Sequence, residues 1–335
     1  MVLCNFDELL SAPSTCYDNI RNLDEAGVGC DGVTCSRICD RNEKYAVASD
    51  YKNAASAKGV CLDKCKTILA ICKRIENKIS SASEVFYPFD VEYNNSINHP
   101  LGTSSAFSIC TVEPGTAYDV ARVLTIIRET QVPFGIKGGG HSFNPGFSST
   151  TGILIAMSRF RQITYHPTSQ TVELGAGLLW GDVYQALYPL GVTVVGGHIS
   201  GVGVAGLILG GGYSWKSNQY GLSIDNAIEY EVSGAYPHVP SSTPPLPMII
   251  QFSWALPSDD NVFIDGLKSA TQAIQQAALA NGQDVDGSKE ILYPNAALAD
   301  TPLEQMYGKN VPKLRRIRQE WDPNNIMCLS GGFKF

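Results

Sequence analysis

The chain has 335 residues, 44% of them hydrophobic and 17% charged, with 25 Lys+Arg against 32 Asp+Glu for a net charge of −7. That length allows two or more domains around a sizeable core, and the acidic balance, with no dense basic cluster beyond Lys313 to Arg318, argues against nucleic acid or an anionic membrane as partner. Apolar runs are broken by Gly, Ser or Pro well short of the ~18 residues a membrane span needs, so the expectation is a soluble chain.

Of the ten cysteines, Cys4, Cys16, Cys30, Cys35, Cys39, Cys61, Cys65 and Cys72 crowd the N-terminal end, leaving Cys110 and Cys328 for the rest. Cys35/Cys39 with Cys61/Cys65 have the spacing of a zinc site, but no histidine lies nearby. Disulfides suit an exported protein better, and a cysteine-rich extracellular binding protein is the reading these residues alone would support. Against export, Met1 to Glu8 shows neither a basic n-region nor an apolar h-region. Asn94-Asn95-Ser96 is an N-glycosylation sequon.

Residues 1–60 are polar and aperiodic and read as a loosely structured extension. From Cys61 to Lys78 the positions Val60, Ile68, Leu69, Ile71 and Ile75 predict a short helix. Thr116-Ala117-Tyr118-Asp119 predicts a capping box, followed by Val120, Val123, Leu124 and Ile127 on one helical face. Strands are predicted at Phe134 to Lys137, Ile153 to Met157, Ile163 to Tyr165 and Thr171 to Leu174, then an amphipathic helix near Trp180 to Leu190. Residues 233–247 are Pro-rich and read as an irregular linker. Beyond it come a strand at Phe252 to Ala255 and a helix at Asp260 to Ala280, with Phe263, Leu267, Ala270 and Ile274 on one face. A second capping box is predicted at Thr301-Pro302-Leu303-Glu304, with Pro at the first helical position, and a last helix ending before Asp322-Pro323.

Glycine is concentrated between Gly135 and Gly212, in two clusters: Lys137-Gly138-Gly139-Gly140-His141-Ser142, and Val195-Gly196-Gly197-His198-Ile199-Ser200-Gly201-Val202-Gly203-Val204-Ala205-Gly206 running on to Gly210-Gly211-Gly212-Tyr213. Successive glycines let backbone N–H groups converge into an anion-binding nest suited to a pyrophosphate, which makes a dinucleotide the natural guess. Gly201 to Gly206 also fits G-x-G-x-x-G, with Asp225 about 20 residues on. A nicotinamide-type unit needs a helix directly after those glycines, whereas Leu207 to Tyr213 carries three more. No G-x-S-x-G elbow is present, and His99, His141, His166, His198 and His238 show no zinc-ligand spacing.

Read together, Cys110-Thr111-Val112-Glu113-Pro114, the first glycine cluster, Gly175-Ala176-Gly177, Trp180-Gly181-Asp182-Val183, the second cluster and Tyr220-Gly221-Leu222 resemble the FAD-binding domain of the vanillyl-alcohol oxidase / p-cresol methylhydroxylase superfamily. The nearest branch is the fungal berberine bridge enzyme-like oxidases. In the tail, Phe252-Ser253-Trp254, Tyr293-Pro294-Asn295, Tyr307-Gly308 and Trp321-Asp322-Pro323-Asn324-Asn325 resemble that family's C-terminal segment.

The resemblance implies an α+β fold, with a two-subdomain FAD-binding domain at 61–232, the 233–247 linker, and a truncated substrate domain with a helical berberine-bridge-like segment at 248–335. It aligns His141 with a histidine bonded covalently to FAD, and sets Lys137, Gly138, Gly139, Gly140 and Ser142 around the pyrophosphate. Gly197, Gly201, Val202, Gly203 and Gly206 match a second FAD-lining loop. Some relatives tether FAD again through a cysteine there; Ile199 stands at that place, so a single link is expected. Tyr220, Asp225 and Asn226 match the segment beyond, or simply pack. Tyr293 and Asn295 match a Tyr-x-Asn motif whose tyrosine serves as or supports the catalytic base, or merely covers the flavin. Cys72 and Cys110 correspond to a disulfide pair.

Such enzymes pass a hydride from a substrate C–H to flavin N5 and are reoxidised by dioxygen, giving hydrogen peroxide. The implied partners are therefore a hydroxyl-bearing carbohydrate or secondary metabolite and dioxygen, with no nucleic acid, membrane or metal, and the implied location is extracellular. The chain departs from the pattern after Ala227 to Val232, where only the Pro-rich stretch stands for most of the substrate domain. The alternative is thus a non-catalytic FAD-binding fragment from an altered splice product or gene model.

Overall fold

A computed structural model describes residues 54–230, 259–282 and 292–335. Two compact units emerge, one running to Leu178 and taking in Asn324–Gly332, the other from Leu179 to Pro323 with Phe333–Phe335. Cysteines 4, 16, 30, 35 and 39, the linker at 233–247 and the expected strand at Phe252 to Ala255 lie outside the described residues. The architecture is α+β. No helix among the described residues is long and apolar enough to cross a membrane.

The first unit holds α1 (Ala54–Glu76), β1 (Glu84–Phe86), α2 (Val91–Ile97), β2 (Cys110–Glu113), α3 (Ala117–Thr130), β3 (Phe134–Lys137), β4 (Ile153–Ala156) and the pair β5 (Ile163–His166) and β6 (Thr171–Leu174). The main sheet runs β1-β2-β4-β3, with β4 parallel to both β2 and β3 and β1 antiparallel to β2. Side chains alternate across a strand, and that alternation sorts the core. Ile153 and Ile155 pack with Ile68, Cys72 and Ile75 of α1 and Val123 and Ile127 of α3. Leu154 turns the other way, to Tyr93 and Ile97 of α2. Each such fully buried aliphatic side chain contributes roughly 1.5–3 kcal/mol.

Helix α1 begins at Ala54, earlier than the apolar spacing suggested, because alanine, which recurs before Cys61, favours a helix without contributing to an apolar period. A disulfide joins Cys72 of α1 to Cys110 of β2, with S–S 2.11 Å and both residues fully buried. The box at α3 forms by half: Thr116 Oγ1 accepts from the Asp119 N–H at 3.1 Å. Instead of returning to the Thr116 backbone, the Asp119 carboxylate accepts from the hydroxyls of Thr116, Ser80 and Ser83 and from Ser80 N–H, at 2.6–2.9 Å.

The second unit holds α4 (Trp180–Leu187), α5 (Val204–Leu209), α6 (Ser217–Tyr220), α7 (Asp260–Ala280), α8 (Leu303–Tyr307) and α9 (Val311–Trp321). Met306, Tyr307 and Val311 form a small core with Leu303, Leu314, Phe333 and Phe335 around them. The capping box expected at Thr301 does not form: Pro302 itself stands at the N-cap with extended backbone, and no side chain caps the helix. A five-residue helix is held by packing through Met306 and Tyr307 rather than by its cap. Helix α9 stops at Trp321 as expected, ahead of Pro323.

Candidate functional site

In the first unit, β3 ends at Lys137, so Gly138 to Ser142 leaves from the carboxyl end of a strand in the parallel part of the sheet, the edge at which parallel strands present ligands. The N–H groups of Gly138, Gly139, Gly140, His141 and Ser142 donate to no protein group among the described residues. Backbone donors are rarely left unspent, and a run of them forms a nest for an anion. Gly140 has φ +68°, and a Cβ there would lie 2.5 Å from Lys137 Cε and 3.2 Å from His99 Cδ2. Burial pushes the Lys137 ammonium down from its usual range against the opposing pull of Glu113, and its Nζ lies 3.4 Å from Asn95 O. His141 meets Phe143 edge-on at 5.9 Å between ring centres. Ser142 is tied down, its carbonyl accepting from Ser104 Oγ at 2.8 Å.

In the second unit, the N–H groups of Gly196 through Gly201 are likewise unspent among the described residues. Tyr184 anchors this loop by donating its hydroxyl to Gly197 O at 2.8 Å, while Trp180 and Gly181 N–H donate to Val202 O and Ser200 O at 3.0 and 2.9 Å. Trp180 is 1% exposed, and its indole N–H is buried without a partner. Contrary to the sequence expectation, a helix does follow: α5 starts after Gly203 and carries Gly206 within it. It lasts one and a half turns because Gly210 ends it, and no strand feeds it, only an isolated bridge between Leu179 and Gly203. Tyr220 is half exposed. Asp225 accepts from Leu222 N–H, and Asn226 donates to Tyr220 O and Leu222 O, so both are used in closing their own turn.

Also in the second unit, the Tyr293 hydroxyl oxygen accepts from Tyr213 N–H at 3.1 Å and from Asn295 Nδ2 at 2.9 Å. With both donors on the oxygen, the phenol proton is left for a further acceptor. Asn295 is fixed in turn by donating to Leu207 O at 2.9 Å, and its amide lies flat against Gly210, where any Cβ would overlap it. Gly210→Ala is therefore expected to cost about 1–3 kcal/mol by overpacking. Gly206→Ala, with nothing within 4 Å, should gain about 0.5–1 kcal/mol as a helix-interior glycine replaced. Denaturant unfolding of the flavin-free variants checks both signs.

Residues 108–235 match the FAD binding domain family, and residues 293–330 the family described as berberine and berberine like. The chain carries an FAD-binding domain. Its relatives include the FAD-dependent monooxygenase tpcD of Cochliobolus heterostrophus, 37% identical over 56% of this chain and 35% of that protein. An uncharacterized FAD-linked oxidoreductase of Arthroderma benhamiae is 46% identical over 37% of this chain and 25% of that protein. The chain thus spans between a quarter and about a third of these relatives' length. Among solved structures it is similar to Physcomitrella patens BBE-like 1, with TM-score 0.41 and 27% identity over 46% of this chain and 34% of that one.

The donors present suit FAD. A dinucleotide pyrophosphate needs several convergent N–H groups and positive charge, and the Gly138–Ser142 loop with Lys137 supplies both. Sequence reading assigned no role to His99 or Ser104, and it took Tyr213 and Trp180 only as members of motifs, without the Tyr213 N–H contact to Tyr293 or the unpartnered Trp180 indole. His99 and Ser104 lie in a segment far from the glycines in sequence, and Tyr213 acts through its backbone, which no spacing reveals.

Proposed function

We propose that the chain holds FAD through a single covalent bond from His141 and oxidises a hydroxyl-bearing carbohydrate or secondary metabolite, with dioxygen as acceptor. The reaction balances as CH–OH + O2 → C=O + H2O2. The observation that carries this reading is the run of unspent N–H groups from Gly138 to Ser142, His141 among them, at the carboxyl end of β3. FAD, when bound, supplies the hydride acceptor. Gly138 to Ser142 and Lys137 hold the negative charge of the pyrophosphate. The resemblance assigns Gly197, Gly201, Val202, Gly203, Gly206 and Tyr220 to cofactor binding as well. Tyr293, its oxygen held by Tyr213 N–H and Asn295, serves the substrate hydroxyl as the base once its own phenol proton has passed to solvent, the two donors stabilising the phenolate. The proposed division of the chain is the FAD-binding domain at 61–232 and the remnant substrate domain with its berberine-like segment at 248–335. The buried Cys72–Cys110 bond supports an oxidising, extracellular setting.

A specific observation favours a second reading, an FAD-binding shell without turnover: Trp215 and Ile228 are 81% and 82% exposed, as side chains deprived of a covering layer would be. One experiment separates the readings. The protein is denatured and precipitated in acid, and flavin fluorescence is followed in wild type and His141→Ala. Fluorescence that stays with the wild-type polypeptide and leaves with the variant supports the covalent link; wild type that binds no flavin overturns the proposal. Peroxide release on a panel of sugars and alcohols then divides oxidase from inactive shell.

A further inference from the structure

The glycine loop of the first unit is held from beneath by one short segment, residues 95–105, to which no family match extends. Asn95 O lies 3.4 Å from Lys137 Nζ, at the loop's entry. Ser104, 1% exposed, donates to Ser142 O at 2.8 Å. Between them His99, 3% exposed, turns its Cδ2 edge to the space over the Gly140 Cα and its Nε2 to Ser148, 3.0 Å from Oγ and 3.2 Å from the carbonyl. Its Nδ1 lies 2.8 Å from Ile97 O, and its backbone N–H donates to Ser105 Oγ at 3.1 Å.

Ile97 O only accepts, so Nδ1 carries the proton in the neutral ring and Nε2 accepts from the Ser148 hydroxyl. Burial lowers the His99 imidazole from its ordinary value against the bonds to Ile97 O and Ser148 O, and the Lys137 ammonium works with burial. Toward the loop itself, Ser104 reaches the Ser142 carbonyl and His99 the space over the Gly140 Cα, and neither takes up a loop N–H. The loop's N–H groups are left unspent, which is what a ligand that accepts hydrogen bonds requires.

We infer that His99, with Ser104, is a positioning residue for the cofactor loop: it fixes Gly140 and Ser148 so that the N–H groups of Gly138 to Ser142 converge. The inference rests on the FAD reading for what the loop binds, but not for how the loop is held. His99→Gln places an amide where Nε2 stands and keeps the Ser148 contact; His99→Asn reaches only the Nδ1 position.

The test compares wild type, His99→Ala, His99→Asn, His99→Gln and Ser104→Ala in two assays. The first measures flavin retained per polypeptide after expression with added FAD. The second measures chymotryptic cleavage at Phe143 and Phe147 in flavin-free protein, beside the thermal midpoint. His99→Ala and His99→Asn are expected to retain about tenfold less flavin and to be cut several-fold faster, Ser104→Ala to move in the same direction, and His99→Gln to stay within about threefold of wild type. Equal cleavage and flavin content across all five overturns the inference, as does a loss in His99→Gln equal to that in His99→Ala, or losses that merely follow the thermal midpoint. If wild type takes up no flavin yet the cleavage order holds, the FAD reading fails and the positioning role stands.

Discussion

Asp119→Ala is expected to destabilise the first unit by about 3 kcal/mol or more. The carboxylate is fully buried at the start of α3 and satisfies four donors: Thr116 Oγ1, Ser80 N–H, Ser80 Oγ and Ser83 Oγ. Removing it leaves those donors without an acceptor, at roughly 1 kcal/mol or more for each that water cannot reach. It also removes a negative charge from the N-terminus of a helix. Ser83 Oγ in turn accepts from Gly115 N–H at 2.8 Å, so the loss spreads to the turn that brings β2 into α3.

The pH dependence has a definite sign. Burial would raise the Asp119 carboxyl, but the bonds from Ser80, Ser83 and Thr116 outweigh it and hold it at about 2, against an ordinary 3.8. The folded chain therefore binds this proton more weakly than the unfolded chain. Its contribution is whole above the ordinary value and is lost as pH falls through about 2. Denaturant unfolding followed by circular dichroism from pH 5 to 2 should show stability falling steeply in wild type and less steeply in Asp119→Asn. Parallel acid limbs in the two proteins would show that Asp119 is not the group responsible.

What could be read from sequence in this fold is what repeats locally. The face of α3 was legible because Val123 and Ile127 recur at helical spacing, and β4 because four apolar residues sit together. Asp119 was legible only as a capping residue; its turn toward Ser80 and Ser83 depends on a close approach between chain segments that no local pattern encodes. Helix α2 was missed for a related reason. Only Tyr93, Ser96 and Ile97 of its seven residues are buried, too few to set a period. The same limit applies to the site: the glycine clusters declare a cradle for an anion, while the side chains that shape the cradle, His99 and Ser104, are ordinary polar residues whose meaning appears only when β3 and the segment after α2 are side by side.

Tyr293→Phe is expected to lower kcat by about 10²–10⁴, the usual contribution of a positioned acid or base, while leaving flavin content unchanged. Two donors already occupy the hydroxyl oxygen, from Tyr213 N–H and Asn295 Nδ2. A substrate hydroxyl that gives up its proton while a hydride leaves its carbon needs an oxygen that can take the proton, and those two donors are placed to stabilise the phenolate that takes it. Phenylalanine keeps the ring and hence any covering of the flavin, so a tyrosine that only covers would lose little activity. The substitution also has a structural cost, since Tyr213 N–H loses its acceptor, about 1–3 kcal/mol if the group stays dry, whereas Asn295 keeps Leu207 O. Asn295→Ala supplies the contrast: the phenol remains but loses a donor, and a smaller fall in kcat, with KM moving less than kcat, is expected. Steady-state peroxide release on flavin-loaded protein measures both, and a Tyr293→Phe variant within threefold of wild type would remove Tyr293 from the chemistry and leave it a packing role.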